Sequence, residues 1–160
     1  MEIVVTDATL GTAPGSTDWL RTYSFVRFGF SAAWVALAFS LGLGNPAIAA
    51  ALLLIYPAWD AVANVVDAQR TGGLARNRTQ FVNAVVSAVT TIAVGVALTR
   101  GIVAVVVVYG VWAVLSGVLQ LVAAIRRWST GGQWAMALSG VQSALAGAFF
   151  VFSAGTMAEP

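Results

Sequence analysis

The sequence predicts an all-α fold, a polytopic bundle of five transmembrane helices, on three observations. Hydrophobic residues make up 59% of the 160 and charged residues only 9%, with a mean hydropathy of +0.87. A soluble domain carries about 25% charged residues, because its water-facing surface needs them. Five stretches are each long and apolar enough for a bilayer core, which takes about 20 residues at about 1.5 Å of rise. Most charged residues lie at the ends of those stretches or outside them.

Residues 1–24 read as a polar arm, with Glu2, Asp7, Asp18 and the turn-rich segment Gly11-Thr-Ala-Pro-Gly-Ser16. A secretory signal opens with a basic region and an apolar core, and the arm has neither. Trp19, Arg21 and Tyr23 suit the membrane interface, and Asp18 suits the cap of the first helix. Helix one then covers about 25–43 and stops at Gly42-Leu-Gly-Asn-Pro46. Glycine and proline there end a helix cleanly. Helix two covers about 47–69, before Arg70-Thr-Gly-Gly73, and helix three about 80–98. Helices four and five cover about 102–125 and 134–154, leaving a tail at 155–160. The transmembrane domain is thus 25–154.

The arginines orient this bundle. The chain has eight basic residues, all arginine. With alternating helices, Arg21, Arg27, Arg70, Arg76, Arg78, Arg126 and Arg127 fall on one side and Arg100 alone on the other. Positive charge marks the cytoplasmic side, so the N-terminus is expected there, in a bacterial cytoplasmic membrane. Trp128 and Trp134 flank the same arginines as an aromatic belt would.

A shift of 56 residues superimposes the chain on itself. Ser31 falls on Ser87 and Ser143, Tyr56 on Trp112, Asp60 on Ser116, Asn64 on Gln120 and Arg70 on Arg126. Identities are common by chance in an Ala/Val-rich chain. Polar positions, turns and a terminal arginine holding one register are not, so the helices read as about two and a half helical-hairpin repeats.

The stretch Tyr109-Gly-Val-Trp-Ala-Val-Leu-Ser-Gly-Val-Leu-Gln-Leu-Val-Ala-Ala-Ile-Arg-Arg127 resembles the even-numbered helix of the HdeD-like family. Gln133-Trp-Ala-Met-Ala-Leu-Ser-Gly-Val-Gln-Ser-Ala-Leu-Ala-Gly147 resembles its odd-numbered helix. These are bacterial inner-membrane proteins built on a short hydrophobic repeat of unknown function. The resemblance spans about Phe25 to Ala154. It implies three hairpins, a link to acid-stress resistance, and no catalytic residues. This chain offers two and a half hairpins, so a sixth helix is either absent by design or encoded beyond Pro160.

Counting excludes several chemistries. Without His or Cys there are no ligands for the usual zinc or haem sites and no thiolate nucleophile. Without Lys there is no Schiff base. No serine has a His or Lys to activate it, and Gly72-Gly73 lacks the lysine and strand–turn–helix setting of a phosphate loop. The expectation is no enzyme, no cofactor, no metal and no nucleic-acid partner. Membrane lipid is the expected partner, with a second copy of the chain as one way to cover helix five.

Asp60 is the informative residue. It lies roughly 20 Å along helix two, inside the hydrocarbon, where a carboxylate costs about 2.5–3.5 kcal/mol unless it finds a partner. Tyr56, Asn64 and Asp67 continue a polar stripe on the same face. The stripe reads either as a proton-titrating or substrate-contacting site of a small transporter or channel component, or as glue between helices. Arg27, at the start of helix one, reads as too far along the axis for a direct bridge. Arg70, Arg76, Arg78, Arg126 and Arg127 read as topology determinants that also suit anionic lipid headgroups. Asn83, Ser87, Thr90, Thr91, Ser139, Gln142 and Ser143 read as interhelical hydrogen-bonders, and two ridges, Ser139/Ser143/Gly147 and Gly140/Ala144/Ala148, as sites of close helix approach.

Overall fold

A computed structural model describes residues 15–126, 128 and 133–157. Within them the regular structure is all helical, α1 (Gly15–Leu37), α2 (Pro46–Arg70), α3 (Arg78–Leu98), α4 (Ile102–Arg126) and α5 (Trp134–Met157), joined by short turns and with no strand. Each helix packs antiparallel to the one before it. All five carry a span long and apolar enough to cross a membrane, and their outward faces are apolar, with Phe152 76% exposed. Such a surface belongs in lipid.

The first helix departs from the expected boundary. It starts at Gly15, although its apolar span starts at Phe25. Asp18 therefore lies within the helix and not at its cap, while the arm residues 1–14 fall outside the described residues. The extra turns have something to hold, because Trp19 and Tyr23 dock against α2 and Arg27. At its far end the helix widens into a π-type turn over Ala38–Gly42, closed by the Leu43 amide donating to the Ala38 carbonyl at 3.2 Å. Asn45 then caps α2, accepting from the amides of Ala47 and Ile48 at 3.0 and 3.2 Å. Pro46 takes the first helical position, where a missing N–H costs nothing.

Pro57 sits buried inside α2. Proline has no N–H, so the carbonyl four residues back, on Leu53, loses its helical donor. The Tyr109 hydroxyl of α4 donates to that carbonyl. A polar group freed in lipid is thus satisfied by a neighbouring helix. Tyr109→Phe should lower stability by about 0.6–2 kcal/mol, and Pro57→Ala in the same chain should recover most of the loss by restoring the helical donor. Thermal unfolding in detergent checks both; equal melting of Tyr109→Phe and parent would dismiss the bond.

α4 and α5 approach most closely. A Cβ placed on Gly117 would lie 2.5 Å from the Gly140 carbonyl oxygen, and one on Gly147 would lie 2.5 Å from that of Gly110. The two backbones touch at two levels seven residues apart on each helix. Only glycine permits that approach.

Candidate functional site

The α2 stripe meets a matching stripe on α1, where Trp19, Tyr23, Arg27 and Ser31 recur every fourth residue and so share a face. Arg27 Nη2 reaches Asp60 Oδ1 at 2.5 Å, which overturns the expectation that the two are too far apart. The reason is register. Arg27 and Asp60 stand at similar distances from the Gly44–Asn45 turn, so folding α1 back on α2 brings them level, and a long arginine covers what remains. The same register pairs Ser31 with Tyr56, their hydroxyls 3.4 Å apart, and Trp19 with Asp67, the indole N–H donating to Oδ1 at 3.2 Å.

Asp60 is buried, and every one of its oxygens is engaged. Besides Arg27, Ser87 Oγ of α3 donates to Oδ2 at 2.7 Å, and Asn64 Nδ2 donates to Oδ2 at 3.0 Å and to the Asp60 carbonyl at 2.8 Å. Trp112 of α4 donates its indole N–H to Ser87 Oγ at 3.0 Å. One carboxylate therefore ties α1, α2 and α3 together directly and α4 through Ser87. Arg27 is held from its other side by Tyr23, whose hydroxyl accepts from Nη1 at 2.9 Å and whose ring centre lies 5.6 Å from the guanidinium. Burial raises the Tyr23 phenol above its ordinary range against the pull of Arg27, so it stays protonated.

Around the network lies an aromatic layer. Phe30 stacks on Trp59 at 4.5 Å, Trp34 meets Tyr56 at 4.9 Å, and Tyr56 meets Trp112 edge-on at 5.7 Å. Asp67, nearer the helix end, also receives Gln80 Nε2 at 3.5 Å. In the second hairpin the positions 56 residues on from Arg27 and Asp60 are Asn83 and Ser116. There the ion pair is replaced by neutral groups, and Asn83 Oδ1 and Ser116 Oγ are buried without a hydrogen-bond partner among the described residues.

The arginines separate into groups. Arg70 lies over the Trp19 ring at 5.0 Å. Arg76, Arg78 and Arg126 line one cavity. Arg127 lies outside the described residues, as does the side chain of Arg21. Arg27 belongs to the charge network, a role that the loop-charge reading missed. The signal was available as a basic residue at the fourfold spacing of Trp19, Tyr23 and Ser31. No group of three or more acidic residues that could hold a metal ion occurs among the described residues.

Residues 82–152 match the family described as a short repeat of unknown function, DUF308. The match runs from the first turn and a half of α3 into α5, across the hairpin that carries Trp112 and the Gly110/Gly117 contact. No curated protein and no solved structure matches the chain.

Proposed function

We propose that this chain is a non-enzymatic, HdeD-like protein of the bacterial cytoplasmic membrane, with its N-terminus in the cytoplasm. In this reading it supports acid or stress resistance through contacts with membrane lipid or partner proteins. The match over residues 82–152 supports the kinship, because DUF308 is the family of HdeD-like proteins. The observation that carries the reading is the engagement of Asp60 by Arg27, Ser87 and Asn64. A carboxylate that carries protons must exchange partners during a cycle, whereas this one is clamped by three at once. The stripe is then the bundle's internal clamp and not a transport path.

Deleting the gene should reduce survival of an acid challenge, and re-expression should restore it. The charge-free double variant Arg27→Leu/Asp60→Leu should restore it equally if the pair serves only the fold. Rescue by the parent but not by a well-expressed double variant would favour a transporter using Asp60, and no acid phenotype at all would remove the stress role. For orientation, a reporter fused after Arg76 should score cytoplasmic and one fused after Pro160 external. The same side for both would defeat five alternating spans.

A further inference from the structure

The α2–α3 turn and the facing ends of α3 and α4 border a half-open cavity of about 240 Å³ lined by Arg76, Asn77, Arg78, Thr79, Gln80 and, from α4, Arg126 beside Ala123. None of its lining residues is acidic. The only ion pair among the described residues is Arg27 with Asp60, so these three guanidiniums have no carboxylate of their own. Like charges are gathered here without internal compensation, which is unfavourable unless something anionic joins them.

The backbone adds to the same field. Asn77 stands where a cap of α3 would be but gives its first turn no side-chain hydrogen bond. Its side-chain Nδ2 instead donates back to the carbonyls of Gly73, Thr71 and Ala68, at 3.0, 3.1 and 3.3 Å. The first-turn amides of Arg78, Thr79 and Gln80 are therefore left for an acceptor from outside, at the positive end of a 21-residue helix. Asn77 thus shapes the turn and leaves the helix end open. Guanidinium forks, a threonine hydroxyl and uncapped amides form a donor set suited to phosphate oxygens. The cavity stands at the ends of two apolar spans, where the headgroup region lies when such spans cross a bilayer.

We propose that Arg76, Arg78 and Arg126, with the uncapped start of α3, form a binding site for a phosphate group. The phosphate arrives either on an anionic phospholipid or free in solution. The site requires that the chain be a membrane protein, but it is independent of any role in acid survival, so failure of one leaves the other standing.

The test titrates the purified full chain in detergent with phosphatidylglycerol, phosphatidylcholine and inorganic phosphate, read by native mass spectrometry and by melting temperature. Phosphatidylglycerol should give one retained lipid per chain at concentrations where phosphatidylcholine gives none, and should raise the melting temperature. Arg78→Gln/Arg126→Gln should weaken that binding at least tenfold, and Arg126→Glu alone should do so too. Neither should change melting in phosphatidylcholine, because these side chains are exposed and unbonded. Arg70→Gln, at the same end but outside the cavity, and Arg100→Gln, at the other end, should stay within twofold of the parent. Displacement of the lipid by millimolar inorganic phosphate assigns the site to free phosphate; resistance to it assigns the site to lipid. Equal retention of both lipids, undiminished binding by both variants, or equal weakening by Arg70→Gln would overturn the proposal.

Discussion

Arg27→Leu should destabilise the bundle by about 3–5 kcal/mol, because it leaves the Asp60 carboxylate buried without its counter-ion. Asp60→Leu should cost a similar amount by stranding the guanidinium and removing the acceptor of Ser87 and Asn64. Asp60→Asn should cost less than Leu but clearly more than nothing, since an amide oxygen can accept from Arg27 but brings no charge to balance it. The double variant Arg27→Leu/Asp60→Leu should recover most of the loss, because a buried ion pair replaced by apolar residues is often neutral. A double-mutant cycle by reversible unfolding in mixed micelles measures the coupling. Additive single effects would mean that the two residues act apart.

The second large effect is expected between α4 and α5. Gly117→Ala puts a methyl group 2.5 Å from the Gly140 oxygen and 2.6 Å from the Ala144 nitrogen. Both are backbone atoms, so no side chain can swing aside and the helices must part. Overpacking of this kind costs about 1–3 kcal/mol; Gly117→Leu should cost more and detach α5. Gly29→Ala is the control. Its Cβ would meet nothing within 4 Å, and alanine gains about 0.5–1 kcal/mol over glycine inside a helix. Opposite shifts in melting temperature should follow, and a harmless Gly117→Ala would refute the close approach.

The five spans and the polar face of α2 were legible in the sequence because hydropathy and fourfold spacing are local properties. The Arg27–Asp60 contact was not read, although the means were present. Depth was judged separately on each helix, when the useful measure was each residue's distance from the turn between them. Pro57 and Tyr109 escaped for a different reason. Nothing local says which side chain will supply a donor to a carbonyl on another helix. Of the α4–α5 contact, the α5 ridges through Gly140 and Gly147 were visible. Their opposite numbers at Gly110 and Gly117 emerged only once antiparallel packing set one pair of glycines against the other.

The distance along the chain between Arg27 and Asp60 has a consequence for how the protein is made. Thirty-three residues separate them, which at about 5–20 residues per second is several seconds of translation. During that time the first helix carries, three residues into its apolar span, an arginine whose counter-ion has not been synthesised, and a charge within the membrane is unfavourable until it finds a partner. The first helix is therefore a hesitant entrant by itself. It is expected to wait at the translocon or the interface and to commit to the bilayer together with the second, the two crossing as one neutral hairpin.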